Sequence, residues 1–422
     1  MKTNVKSEAS DSSLKSKASD SAKKSCRVTD FGACGDGRTL CTSAIQTAID
    51  LCPEGGEVLI PEGCFLCGAL FLKSNMTLRL AKGAKLLGSK DPKHYPLLTY
   101  RYEGREQLCY ASLVNTDGAP HENISIVGEG VIHAGGMKLY EAELADGKAR
   151  RGRAVCIRNT RSVTIEGVTV RQSPAWCLHL IYCTDIRIEG VCVFTKYDED
   201  GSKCDMYNGD GIDLDSCARA VVRGCLIGSE DDCIAIKSGR DVEGRRVGIP
   251  SKDILVENCR FISGFGVAIG SEMSGGVENV TVRNCVFENT FSVASIKPPR
   301  GRGGYIRNIV YEDCTHKNES TEHTDCLWYR GAIYMDGFYA QETFDADLRM
   351  PINEGTPSVE NIVFKNITAE TVAGRGLFLC GLPESPFRNV RFENVRVKGI
   401  KEPYIKNIEN LDYVNTEFSV TE

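Results

Sequence analysis

The chain has 422 residues, 41% of them hydrophobic and 26% charged, with a formal net charge of −6. It is too long for an average globular domain but suits one elongated repeat domain. No apolar stretch is long enough to span a bilayer, and the acidic balance speaks against nucleic acid as the main partner, although a local basic groove for an acidic ligand stays compatible with it.

Residues 1–25 are rich in Ser and Lys and lack the apolar core of a secretory signal, which predicts a disordered tail and a cytoplasmic protein. A single domain is expected over 26–422. Thr42-Ser-Ala-Ile-Gln-Thr-Ala-Ile-Asp-Leu-Cys52 is the one clear amphipathic helix, with Ala44, Ile45, Ala48 and Ile49 on one face. Its expected place is over the open end of a solenoid, whose terminal strand otherwise presents unpaired edges. Glu54-Gly-Gly-Glu-Val-Leu-Ile-Pro-Glu-Gly63 then enters the first strand.

From there a short motif recurs. It reads Asn/Asp, aliphatic, any, aliphatic, any, then Gly, Asn or Asp. It starts at Asn123, Ser162, Asp185, Arg219, Asp253, Asn279, Asn308, Asn361 and Asn389. Alternating apolar residues make short strands, and the Gly or Asn that follows supplies the turn. Most spacings are about 23 to 39 residues without an intervening helical pattern, which predicts a parallel β-helix. A β-sandwich needs hairpin turn signals every 8–12 residues, which are missing here. Residues 315–355, aromatic and charged with a weak repeat signal, read as an insertion or long loops, where solenoids build binding sites.

The 20 cysteines include Cys225, Cys259, Cys285 and Cys314 at one repeat position. Residues of equal phase stack in a solenoid, and a free Cys behaves as a small buried hydrophobe. No Cys-x-x-Cys pair has a histidine close in sequence, so no zinc site is expected, and the thiols read as reduced core residues.

Two acidic clusters fall in this repeat register, Asn208-Gly-Asp-Gly-Ile-Asp213 and Gly228-Ser-Glu-Asp-Asp232. Asp210 and Asp231 are 21 residues apart, about one rung. Parallel strands lie about 4.8 Å apart, so Asp210 should stand directly over the Asp231/Asp232 pair. Three carboxylates that close cannot all ionise comfortably, and one is expected to hold a proton at neutral pH. Each cluster alone reads equally as an exposed acidic turn or a calcium loop. In register they are the raw material for acid/base hydrolysis of a glycosidic bond.

With these residues in view, the stretch from Arg27 to Ile400 resembles the polygalacturonase-type glycoside hydrolases of family 28. Val28-Thr-Asp-Phe-Gly-Ala-Cys-Gly-Asp-Gly37, Ser173-Pro-Ala-Trp-Cys-Leu-His179, Asn208–Asp213, Asp231-Asp-Cys-Ile-Ala-Ile-Lys-Ser-Gly-Arg-Asp241, Gly270-Ser-Glu-Met-Ser-Gly-Gly276 and Gly301-Arg-Gly-Gly304 are similar to its blocks, in order. The resemblance implies an all-β, right-handed parallel β-helix and hydrolysis with inversion. It implies Asp231 as general acid, Asp210 and Asp232 activating water, and no metal or cofactor. Close carboxylates alone would suggest retention; the resemblance implies the opposite.

Two positions depart from the family pattern. Phe265 stands where its Gly-His-Gly has histidine, and Ser295 where its Arg-Ile-Lys has arginine. Serine cannot offer a carboxylate the bidentate fork of arginine. The expected partner is therefore a pectic oligosaccharide, such as rhamnogalacturonan or a substituted galacturonan, in place of plain galacturonan. Candidate substrate contacts are Asn208, Lys297, Arg300, Arg302, Phe265 and His179. Trp328, Tyr329, Tyr334, Phe338 and Tyr339 are candidate sugar platforms. A polysaccharide lyase on the same fold and an inactive oligosaccharide-binding protein are the competing readings.

Overall fold

The computed structural model describes residues 25–421 except 205, 323–327, 342 and 343; the expected tail lies almost wholly outside them. Ser25–Arg27 already pairs with the strand Glu57–Ile60, so the folded body begins one residue earlier than expected. The chain winds as a right-handed parallel β-helix. One face is a sheet of 11 strands running in order from Leu70–Phe71 to Tyr404–Lys406, and the other faces form a sheet of 23 strands. The core fills the bore with the alternate residues of each strand, as in Ile254, Val256, Val280, Val282, Ile309 and Tyr311, all buried.

The recurring Asn has two physical reasons. Asn279, Asn308, Asn361, Asn389 and Asn410 all adopt the left-handed conformation, with φ between 56° and 60°, which Asn tolerates better than most residues. Each of the last four also donates from Nδ2 to Oδ1 of the Asn one rung before, at 2.9–3.1 Å. Asn279 starts the run by donating to Asp253 Oδ1 at 2.9 Å.

Thr42–Leu51 forms the capping helix, burying Ile45, Ala48 and Ile49. Gln46 ties it to the first rungs, donating to the Phe71 carbonyl at 3.0 Å and accepting from the Phe71 amide at 2.9 Å.

Cys225, Cys259, Cys285 and Cys314 are buried, and each thiol donates to the carbonyl two residues back, at 3.2–3.4 Å. None of these four is in a disulfide. A reductant should therefore leave the melting temperature unchanged. A loss of about 2–5 kcal/mol on reduction, the scale of a structural disulfide, would contradict this.

Residues 315–355 need correction as an insertion. The strand Tyr305–Asn318 pairs along its length with Ser358–Thr371, and Gly331–Asp336 is a rung of the smaller sheet. The solenoid runs straight through, and among the described residues of this stretch only 319–322, 328–330, 337–341 and 344–355 lie outside its strands. The sequence also hid a hairpin, Leu97–Tyr102 with Arg105–Tyr110, which is the one antiparallel ladder among the described strands. Its turn puts Glu103 at φ 46° and Gly104 at φ 76°, the two positive values that a tight two-residue hairpin turn requires.

Candidate active site

The smaller sheet brings the acidic clusters together. Ile212 pairs with Ile234, so the turn before Ile212–Asp215 lies on the turn before Ile234–Lys237. The Gly211 amide donates to the Asp232 carbonyl at 2.9 Å, which stacks Asp210 on Asp232, the second member of the expected pair and one residue beyond the 21-residue spacing to Asp231. The packing there allows no side chain on Gly211, since a Cβ would meet the Cys233 carbonyl at 2.4 Å.

Two lysines divide the carboxylates. Lys237, at the end of its strand, donates to Asp210 at 3.0 Å and pairs with Asp213 at 2.8 Å, with its ammonium 4.1 Å from the Trp176 ring centre. Lys297, two rungs on, donates to Asp232 at 2.6 Å. Burial works against both ammonium charges, but the carboxylates more than offset it and hold both lysines well above their ordinary range.

Asp231 has no such partner. One of its oxygens accepts from the Asp232 amide at 2.9 Å, and it makes no ion pair among the described residues. Burial, then the charges of Asp210 and Asp232, push its carboxyl up to about 8, against the more distant pull of Lys297 and Lys237. Burial also raises Asp210, here with Lys237 directly opposing. The cluster shares its protons, and of the three carboxyls only Asp231 has no lysine against it, so Asp231 is the one placed to hold a proton for donation. Asp210 and Asp232 each keep one buried oxygen, Oδ1, without a protein partner.

The cleft has two lobes that share these groups. Over the C-terminal ends of the strands lies a basic lobe of about 190 Å³, where Arg240, Arg302, Lys237 and Lys297 meet Glu103, Glu272 and Trp176. Over the N-terminal ends lies an aromatic lobe of about 370 Å³, lined by Tyr207, Phe265, Trp328, Tyr334 and Tyr339 with Asn208 and Glu230. The hairpin walls the first lobe. Its Arg101, 1% exposed, donates to Asp215 at 2.7 Å and Ser216 at 3.0 Å. At its tip, Gly104 accepts from the Arg240 amide at 3.1 Å, and Arg105 reaches Asp241 at 2.5 Å.

The structure gathers some expected contacts and removes others. Asn208, Lys297, Arg302 and Phe265 line the cleft. Arg302 is held by Asp241 at 2.7 Å and by the Ser271 carbonyl at 2.9 Å. Arg300 lines neither lobe, because its Nε and Nη2 are held by Glu384, at 2.6 and 3.0 Å. His179 is fully buried behind the site, edge-on to Trp176 at 4.9 Å and 3.6 Å from Asp215. Burial lowers it to about 3, so it stays neutral and does not reach the cleft.

Phe265 fills the space of the absent histidine, with its ring 5.1 Å from Phe291 and only 7% exposed. Tyr329 and Phe338 pack under their own loops. Ser295 turns away from the cleft, bonding Ser292 at 2.8 Å and the Phe265 carbonyl at 3.2 Å. Sequence reasoning missed Lys237, Arg240, Tyr207 and the hairpin. Lys237 had a signal: Ile234-Ala-Ile-Lys237 repeats the spacing of Ala294-Ser-Ile-Lys297, so both lysines end a rung in one phase.

Comparison with known proteins agrees with this geometry. Residues 111–419 match the family model for glycosyl hydrolases family 28. The chain is 30% identical over 387 residues to a probable polygalacturonase of Vitis vinifera, covering 88% of this chain and 74% of that protein. It is 25% identical to an exo-poly-alpha-D-galacturonosidase of Dickeya chrysanthemi, covering 97% of this chain and 73% of that one. Among solved structures it superposes on a hyperthermoactive exopolygalacturonase of Thermotoga maritima with TM-score 0.76 and 28% identity, over 94% of this chain and 93% of the other. Solenoid, acidic cleft and sequence agree: the chain belongs to glycosyl hydrolases family 28 and is a glycoside hydrolase.

Proposed function

We propose that this hydrolase cleaves pectic oligosaccharides with inversion, and that a neutral sugar adjoins the cleaved bond on the aromatic side. Asp231 gives its proton to the leaving glycosidic oxygen. Asp210 and Asp232, each beside a lysine, hold and deprotonate a water that attacks the anomeric carbon from the opposite face. The observation that carries the reading is the uneven sharing of two lysines among three carboxylates, which leaves the unpaired Asp231 as the acid.

Two features support action at a chain end. The basic lobe is about the size of one sugar ring, and the hairpin stands across its far side. The Dickeya and Thermotoga relatives also carry exo-acting names.

The neutral sugar follows from charge. With Ser295 in place of an arginine and Lys297 already given to Asp232, a uronate on the aromatic side finds no uncommitted cation among the lining residues. A charge-assisted hydrogen bond contributes about 1.5–3 kcal/mol, so its loss should lower the preference for galacturonate there about ten- to a hundredfold. The test is kcat/KM on homogalacturonan oligomers against rhamnose- or xylose-containing ones, read by new reducing ends and product anomer. A ratio well above one would defeat the substrate assignment. An unsaturated product absorbing in the ultraviolet would mean elimination, and the hydrolytic reading would fall.

A further inference from the structure

Two large aromatic side chains stay open to solvent inside the cleft. Tyr207 is 70% and Trp328 51% exposed, and both line the aromatic lobe. Scattered exposed rings are ordinary on a protein surface; these two share one concavity with the carboxylates. Each ring also hangs from a pinned backbone. The Tyr207 carbonyl accepts from Arg151 at 2.7 Å, and the same guanidinium bonds Asn208 at 2.9 Å. Arg151 is itself buried, paired with Glu143 at 3.0 Å and set over the Tyr140 ring. The Trp328 carbonyl accepts from the hydroxyl of buried Tyr334 at 3.0 Å. Glu322 ties the two loops together, accepting from Lys196 at 2.9 Å and Lys203 at 2.6 Å, and these bonds pull its carboxyl down to about 2.

Rings held open on fixed supports bind with little further loss of freedom. Their faces suit the C–H face of a pyranose, while Asn208 and Glu230 line the same lobe and can meet its hydroxyls. We propose that Tyr207 and Trp328 form a platform subsite that stacks the neutral pyranose of the substrate and sets the specificity of the aromatic side. This rests on the reading that a neutral sugar lies there, and it names the side chains that select it.

The chain has two tryptophans, and the other, Trp176, lines the basic lobe, so the signal of Trp328 is assigned by its loss in a Trp328→Phe variant. The experiment titrates Asp231→Asn protein with a rhamnose-containing pectic oligosaccharide and, separately, with trigalacturonate. The expected result is a blue shift that saturates with the rhamnose-containing sugar and is lost in the additional Trp328→Phe variant. In otherwise wild-type protein, Trp328→Ala and Tyr207→Ala should each raise KM about tenfold, the scale of one aromatic contact, with kcat within about threefold. Glu322→Gln should raise KM less and leave kcat unchanged. An unmoved fluorescence at saturating rhamnose-containing sugar, a shift with trigalacturonate alone, or unchanged KM in both alanine variants would each overturn the subsite. A saturating shift in Asp231→Asn without cleavage of either sugar by wild-type enzyme would uphold the subsite and sink the proposed reaction instead.

Discussion

Asp231→Asn is expected to lower turnover by about 10²–10⁴-fold, the range general acid–base catalysis contributes, while the fold stays intact by circular dichroism. The substitution keeps size and shape and removes only the dissociable proton. The same variant should be more stable than the wild type at alkaline pH. The Asp231 carboxyl is held at about 8 in the fold, far above its ordinary value, so the folded protein keeps a proton that the unfolded chain releases. Linkage then makes wild-type stability fall as pH rises from about 4 to about 8. The asparagine does not titrate. The two melting temperatures should coincide near pH 4 and separate with rising pH, the variant melting higher. Activity itself should fall as pH rises through about 8, where the acid loses its proton. Near-normal turnover in a folded variant would remove Asp231 from the mechanism.

Asp215→Ala is expected to cost about 3–5 kcal/mol of folding stability, because it leaves Arg101 charged, buried and unpaired. The carboxylate is held below its usual range: burial opposes its charge, but Arg101 outweighs that. Replacing both partners with apolar residues of similar volume should recover much of the loss, since a buried ion pair and a well-packed apolar pair are close in stability. Arg101 sits on the hairpin beside the basic lobe, so the alanine variant should also loosen that wall. On a long oligosaccharide, the fraction of product released from the chain end should then fall. An unchanged product pattern in a destabilised protein would mean that the hairpin braces the solenoid without shaping the reaction.

What could be read beforehand divides along physical lines. Properties that repeat were legible: the rung register that stacks Asp210 on Asp232, the Asn turns, and the thiols at equal phase all follow from one period. Contacts that leave the period were not. Arg300 is spent on Glu384, 84 residues away, and nothing local marks that pairing. His179 belongs to a rung in register with Asp213 and Asp215, yet its ring is covered by Trp176 and buried beside Asp215, where desolvation keeps it neutral. The hairpin contributes no rung at all, and its two-residue turn, Glu103-Gly104, stands outside the repeat.

The asparagine run also bears on how this surface can change. Consecutive members are separated by 29, 53, 28 and 21 residues, yet each makes the same bond in the same backbone conformation. Alignment between neighbouring coils is thus read at one turn per coil and is indifferent to how much chain lies between. A loop can lengthen by tens of residues without displacing the coils on either side. The rod and the segments between its coils are separable parts, and a lineage could exchange the chain between Asn318 and Gly331, or between Asp336 and Ser358, while the aspartates stay where they are.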